Sequence, residues 1–355
     1  MKKLSVCILF GGVSTEHARS VRAAHAVISQ INHEKYNVFP VGITEQGDWM
    51  LFGGKDYAQL LDGTWQENPL NARAAISPIR GQGLLRFEGD CVVRERIDVV
   101  FPVLYGENCQ DGAVQGLLQM SGIPWVGSSV AASAVSMDKT LTKLVLEHAD
   151  IPQAAWQTVR SAELEHRMEH IIDIIEKRFS YPMYVKPASG NSFGFCGRAA
   201  NREQLCEALK AAATGEKILV EEYVDGREIE VAVMGNHNPV ASICGEVDYG
   251  GALWDCSVRR TEEEASVFIP ARISEEVEEE VREMAVKVYS AMGCKGLSRL
   301  DFFVTGEDGC IIFRDISTMP DFAGLSMYQK LFAASGIPYS QLLDELLQLA
   351  MEDMK

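Results

Sequence analysis

Short apolar runs separated by polar turns set the frame of the chain. Residues 4–10 (LSVCILF) are apolar almost without a break, as in a strand buried on both faces. A Gly-rich turn follows, and then a stretch, 20–31, whose apolar positions recur at helical spacing. The strand pattern returns at 37–43 and at 99–104, the latter leading into a second Gly-rich loop. This alternation predicts a small βαβ domain around a parallel sheet, where ligands collect at the ends of strands and the starts of helices. After residue 128 helical spacing dominates at 136–148 and 164–177, around a connecting strand, and 183–186 is a strand entering the loop 187–194. From 217 onward strands prevail, at 218–222, 228–234, 240–247, 297–304 and 310–316. They are interrupted by a helix at 274–292, in which Glu275, Glu276, Glu278, Glu279 and Glu280 form a solvated face. A helix at 339–351 closes the pattern. The expected class is α/β with mixed α+β character, in three units: 1–128, 129–216 and 217–355.

Composition narrows the class of function. The 355 residues leave room for two to three domains at ~150 residues each. Lys and Arg number 33 against 50 Asp and Glu, a formal charge of −17 that repels polyanions and argues against nucleic acid as a partner. No apolar run approaches the ~18 residues of a membrane span. Met1-Lys2-Lys3 runs directly into the first strand with no small-residue cleavage site, so the expected location is cytoplasmic, with no membrane partner. The nine cysteines (7, 91, 109, 196, 206, 244, 256, 294 and 310) form no CxxC pair and read as reduced thiols, mostly small core residues.

Four clusters carry candidate chemistry. The turn Phe10-Gly11-Gly12-Val13-Ser14-Thr15-Glu16 offers backbone N–H groups and a helix start to an anion, with the Glu16 carboxylate suited to an ammonium group beside it. Such a turn is as often purely structural. Met137-Asp138-Lys139, Val185-Lys186-Pro187 and the Gly/Ser loop 188–194 can cover the phosphates of ATP. No GxxxxGK[ST] occurs, which excludes a Walker loop. Residues 220–224 with Gly226 and Glu228 form a strand, linker and strand able to hydrogen-bond an adenosine. Asp301 and Asp315 flank a turn at 306–309, which predicts an antiparallel hairpin whose carboxylates face one Mg²⁺-nucleotide, the alternative being two unrelated edge aspartates.

The order and spacing of these clusters resemble a known family. FGGVSTE at 10–16, FPVLYGENCQDGAVQGLLQMSGIPWVG at 101–127, MDK at 137–139, YPMYVKPASGNSFG at 181–194, VEEYVDGREIEVAVMGN at 220–236, GCKGLSRLDFF at 293–303 and STMPDFAGLSMYQK at 317–330 fall in register. Over essentially its full length the chain resembles the D-alanine–D-alanine ligase family of ATP-grasp enzymes, and among them the vancomycin-resistance D-Ala-D-lactate and D-Ala-D-serine ligases. The resemblance implies an ATP-grasp fold behind an N-terminal Rossmann-like pre-ATP-grasp domain, and a homodimer acting on small D-amino or hydroxy acids for peptidoglycan precursors. It implies that ATP phosphorylates the carboxylate of one D-alanine and that a second substrate's amine or hydroxyl attacks the acyl phosphate, with two Mg²⁺ ions and fixed cations stabilising the charge.

Carried over residue by residue, the resemblance gives Glu16 the first ammonium group, and Lys139 and Lys186 the ATP phosphates. Glu221, Tyr223, Val224 and Glu228 would line the adenosine pocket. Arg299 would polarise the attacked carbonyl, with Ser192 and Arg259 beside it in catalysis. Asp301, Asp315 and Ser317 would hold metal, and Tyr105, Asn191, Asp321, Ser326 and Met327 would shape the substrate sites.

The chain departs from the family pattern at the chemistry. Tyr105 stands for His, and Cys109-Gln110 for Gly-Glu. The phosphate loop is one residue short, with Asn191 for a Ser, and Arg259-Arg260 stand for Lys-Tyr. The metal motif Asn-Glu-x-Asn-Thr-x-Pro-Gly appears as Arg314-Asp315-Ile316-Ser317-Thr318-Met319-Pro320-Asp321. Asp315 is one methylene shorter than Glu and Ser317 offers only a neutral hydroxyl, which weakens the second metal site. Asp321 places an anion near developing negative charge unless it turns inward to bind metal. Three readings follow: a D-alanine-activating ligase, an ATP-grasp ligase for a different acid, and a nucleotide- or amino-acid-binding pseudoenzyme.

Overall fold

The apolar run of the first strand is explained by its place between two layers. In the computed structural model, which describes residues 3–189, 197–250, 265–306, 309–324 and 326–352, β1 (Leu4–Gly11) is covered on both faces. Val6, Ile8 and Phe10 enter one core, while Cys7 and Leu9 enter the core on the opposite face. β1 pairs in parallel with β2 (Tyr36–Ile43) and with β7 (Val99–Leu104), the expected βαβ arrangement.

The rest of this first sheet is antiparallel, contrary to the all-parallel expectation. β3 (Trp49–Leu51), β4 (Ala72–Ile76), β5 (Leu84–Glu88) and β6 (Cys91–Glu95) extend it outward from β2, in the order β6-β5-β4-β3-β2-β1-β7. These strands are short, and the outermost is largely exposed, so they carry no continuous apolar signature.

The four-stranded sheet runs β10 (Gly197–Ala199), β9 (Met183–Pro187), β11 (Lys217–Glu222), β8 (Trp156–Arg160). The strand pattern groups residues 217–222 with the last unit, but β11 pairs antiparallel with both β9 and β8. An apolar strand pattern states burial and leaves the partner open. Here Ile218 and Val220 share a core with Val159 and Val185, under the helices Ser161–Arg178 and Arg202–Ala212.

The third sheet is antiparallel: β15 (Ser266–Phe268), β14 (Gly245–Asp248), β12 (Arg227–Gly235), β16 (Gly296–Thr305), β17 (Cys310–Ser317), with β13 (Val240–Ala241) on β12. The β16–β17 hairpin is antiparallel as expected. The single strand expected at 240–247 is two, because the chain leaves the ladder at Ser242, whose hydroxyl accepts from the Ala232 N–H at 3.0 Å. The helix Glu275–Ala291 buries Val281, Ala285, Val288 and Tyr289, and Ser274 caps it by accepting from the Val277 N–H. The closing helix Tyr339–Glu352 sends Leu342, Leu343, Leu346 and Leu347 into the core of the first sheet, so the end of the chain packs on its beginning. Among the described residues no helix is long and apolar enough to cross a membrane.

The helix expected at 136–148 breaks at Asp138. This residue leaves the helical region (φ −92°, ψ 102°), and its side chain accepts from the N–H groups of Thr140 at 2.9 Å and Leu141 at 3.2 Å. A new helix, Lys139–His148, starts there, with Lys139 at its first position and Lys143 one turn on. The other Asp138 oxygen accepts from Lys217 Nζ at 2.7 Å, tying the helix start to β11. Asp138→Ala is expected to cost ~1 kcal/mol of stability through the lost cap, read as a lower urea midpoint. An unchanged midpoint would show that the helix start is held by other means.

Candidate functional site

A cavity of about 840 Å³ lies where the four-stranded and six-stranded sheets face each other. Lys139 and Lys186 line it from the middle lobe, Glu228, Arg314 and Asp315 from the last sheet. Tyr184 and Tyr223, with ring centroids 5.8 Å apart, add aromatic surface next to Val224. One space thus combines fixed cations, carboxylates and a flat apolar surface, which is what a nucleoside triphosphate requires.

Side-chain charges in this cavity are tightly paired. Glu221, only 7% exposed, is 2.6 Å from Lys143 Nζ and 2.6 Å from Lys186 Nζ. Burial opposes its ionisation, but Lys186 and Lys143 outweigh burial and bring its pKa down to about 2. Its carboxylate therefore anchors the lysines rather than standing open to adenosine. Lys139 Nζ is 3.9 Å from Asp315 Oδ2. Burial opposes ionisation of Asp315 too, and Lys139, Lys186 and Arg314 together hold its pKa below the ordinary carboxylate value. The Glu228 carboxyl is pushed up, by burial first and by the nearby Asp301 and Asp315, against the pull of Arg314 and Arg299.

Strand register explains the grouping. Glu230 on β12 lies opposite Asp301 on β16, which lies opposite Asp315 on β17, so three carboxylate-bearing residues form one row across the sheet. In the adjacent row Arg299 faces Ser317. The Arg299 guanidinium forks onto both oxygens of Asp301, at 2.9 Å each, and its Nε is 3.2 Å from Glu230.

Mg²⁺ fits this arrangement only in part. Asp315 lines the cavity and turns Oδ2 toward Lys139, while its Oδ1 accepts from the Ile316 N–H at 2.9 Å. Asp315 can therefore offer an oxygen to one ion. Asp301, 3% exposed, has both oxygens committed to Arg299, and Arg314 is 3.5 Å from one of them. Among the described residues no three acidic, His or Cys side chains converge on an ion site. The three-donor set Asp301, Asp315 and Ser317 does not assemble, because arginines already neutralise its central member.

A second constellation lies at the carboxyl ends of β1 and β7. Gly11 has φ +88°, and a Cβ there would lie 2.1 Å from the Ile43 carbonyl oxygen, so this turn admits only glycine. Glu16 stands at the start of the helix His17–Gln30, 3.6 Å from Arg19. Arg19 donates from Nε to Asp321 at 2.8 Å and lies 5.5 Å over the Tyr105 ring. Asp321 also accepts from the Ala323 N–H at 2.8 Å. Arg19 neutralises it, which removes the conflict expected from its charge. Tyr105 is 3% exposed and its hydroxyl accepts from the Phe322 N–H at 3.0 Å, so it clasps the 319–324 loop. Gln110 does the same, donating to the Met319 carbonyl at 3.0 Å.

Ser326 and Met327, expected beside the second substrate, have other engagements. The Ser326 hydroxyl bonds to the Asp321 carbonyl of its own loop and to the Gln329 side chain in the first turn of the helix Met327–Ala334. Met327 is 4% exposed, belongs to the first-sheet core, and lines a cavity of about 30 Å³ with Glu230 and Lys330. Asn191, Ser192, Arg259 and Arg260 lie outside the described residues. Three groups are not singled out by the sequence, Arg19, Lys143 and Glu230, and Arg314 stands there only as a departure from the metal motif. Lys143 was open to detection, being four residues after Lys139 and on the same helix face, and Arg19 stands three after Glu16. Glu230 is placed by strand pairing and Arg314 by an irregularity in it.

Comparison with known proteins agrees over the whole chain. The D-ala D-ala ligase N-terminus family matches residues 5–128 and the D-ala D-ala ligase C-terminus family residues 145–348. A D-alanine–D-alanine ligase of Ruminiclostridium cellulolyticum is 42% identical, over 99% of this chain and 96% of that protein. One of Caldicellulosiruptor bescii is 41% identical over the same shares. Among solved structures, VanG D-Ala:D-Ser ligase from Enterococcus faecalis superposes with a TM-score of 0.89 at 31% identity, covering 98% of this chain and 100% of that one. The D-alanine-D-alanine ligase from Coxiella burnetii gives 0.85 at 30% identity, covering 100% and 95%.

Proposed function

Since the chain belongs to the D-alanine–D-alanine ligase family, we propose that it is an ATP-dependent ligase that activates D-alanine and joins it to a second D-amino or D-hydroxy acid, supplying dipeptide or depsipeptide for peptidoglycan precursors. The observation that carries this reading is the shared cavity, which Lys139, Lys186 and Asp315 all line, with Lys139 Nζ 3.9 Å from Asp315. The homodimer implied by the resemblance belongs to the same proposal.

The chemistry follows from charge. A carboxylate oxygen is a poor leaving group, and phosphorylation converts it into one that departs as phosphate. Lys139 and Lys186 hold the triphosphate while its terminal phosphoryl group passes to the D-alanine carboxylate. Glu221 fixes Lys186 in place, so the cation is pre-positioned rather than recruited at a cost in side-chain entropy. A magnesium ion held at Asp315 would add charge neutralisation on the transferring group. Arg299, locked by Asp301 and Glu230, directs a rigid guanidinium toward the carbon that turns tetrahedral when the second substrate attacks. The attacking amine or hydroxyl loses its proton and phosphate leaves, so one ATP is cleaved to ADP and phosphate per bond made.

Glu16 is the carboxylate available to the first substrate's ammonium group, with Arg19 at 3.6 Å sharing its charge and Asp321 sharing Arg19 in turn. Purified protein with ATP, Mg²⁺ and D-alanine is expected to release phosphate and form a D-alanyl product identifiable by mass, alone or with D-serine or D-lactate added. Phosphate release with another acid but not with D-alanine would move the protein to a different substrate. Nucleotide binding without release under any of these conditions would make it a pseudoenzyme.

A further inference from the structure

Arg314 is placed by an irregularity of the sheet. Along β16 and β17, Asp301 pairs with Asp315 but the next residue, Phe302, pairs with Phe313, which leaves Arg314 as the extra residue of a β-bulge. In a regular strand Arg314 and Asp315 would point to opposite faces. The bulge re-aims the first of them, and both line the same cavity. There the guanidinium is 2.5 Å from Glu228 and 3.5 Å from Asp301, with Asp315 adjoining it in the chain. A fixed positive group thus lies among three carboxylates at the nucleotide cavity, beside Asp301 and Asp315 of the expected metal set.

We propose that Arg314 is a built-in cation standing in for the second divalent ion, so that the nucleotide is bound with a single ion, held at Asp315. Asp301 could bind a second dication only by drawing it against the guanidinium groups of both Arg299 and Arg314. Ser317, the remaining donor of the expected set, offers a neutral hydroxyl that cannot offset that repulsion. The arginine supplies the charge without dissociating, and its Nη1 lies between Glu228 and Asp301, where an ion would otherwise offset their charge. This inference rests on the ligase reading, because that reading puts a triphosphate in the cavity.

The test counts ions rather than turnover. Protein saturated with the non-hydrolysable analogue adenosine 5′-(β,γ-imido)triphosphate is titrated with Mn²⁺, and the free ion is followed by electron paramagnetic resonance. The wild-type chain is expected to bind one Mn²⁺ beyond any bound by the analogue free in solution, Arg314→Lys also one, and Arg314→Asn two. Two ions on the wild-type chain would overturn the assignment, whether or not the variants fold. A folded Arg314→Asn that binds the analogue with one ion would overturn it as well. If the wild-type chain takes two ions and still forms the D-alanyl product, only the arginine assignment fails. If it binds no analogue at all, the ligase reading fails with it.

Discussion

Arg299→Ala is expected to lower kcat for D-alanine-dependent phosphate release by about 10²- to 10³-fold, the usual effect of removing a positive group aimed at charge that develops in the transition state. KM for ATP should move little, since Lys139 and Lys186, not Arg299, line the nucleotide cavity. The same substitution also removes the guanidinium shared by Asp301 and Glu230, whose side chains are only 5% and 6% exposed. Breaking such a buried pair costs about 3–5 kcal/mol, so a drop in melting temperature is expected beside the kinetic loss. Arg299→Lys separates the two effects. It keeps the charge and most of the stability but loses the fork onto both Asp301 oxygens, and it should remain at least ~10-fold slow. Steady-state kinetics with thermal melts of both variants measure this, and a folded Arg299→Ala with wild-type kcat would remove Arg299 from the chemistry.

What the sequence made legible follows the range of the interactions. Strands with an uninterrupted apolar run, such as 4–10 and 99–104, were placed because burial on both faces leaves only one pattern. The hairpin carrying Asp301 and Asp315 was equally open, its short turn permitting only antiparallel pairing. Partners at long range were not. Nothing local in 217–222 says that it inserts between β8 and β9, and nothing in the closing helix says that its leucines cover the first sheet.

The site shows the same division. The spacing of Lys139, Lys186, Asp301 and Asp315 points to a nucleotide and metal; Lys139, Lys186 and Asp315 line one cavity, while Asp301 pairs with Asp315 in the sheet and turns its carboxylate to Arg299. The compensations escaped the sequence because each joins residues far apart. Arg19 and Asp321 meet across 302 positions, and so an anion that looks disruptive in the motif is already neutralised. Arg314 was visible as a departure from the motif, but its direction depends on a bulge that no residue pattern marks. Reading the motif alone weakens the metal site. Reading it with its arginines replaces part of that site.

Glu221→Gln is expected to produce the largest pH-dependent change in stability. In the folded chain the Glu221 carboxyl titrates at about 2, against an ordinary value of 4.5. A carboxyl depressed on folding stabilises the native state above its unfolded pKa and loses that contribution as pH falls through its folded one. At ~1.4 kcal/mol for each pH unit of separation, the ionised pair with Lys143 and Lys186 contributes about 3 kcal/mol at neutral pH. The gap between wild type and Glu221→Gln in urea unfolding should therefore be full at pH 7, begin to close near pH 4.5 and be small near pH 2. Lys143, at 3% side-chain exposure, is the group left unpaired, so Lys143→Met added to Glu221→Gln should recover part of the loss. Recovery would assign the cost to an uncompensated buried ammonium. A gap that stays constant from pH 7 to pH 3, or a double variant weaker than the sum of its singles, would show that Glu221 acts through packing instead of charge.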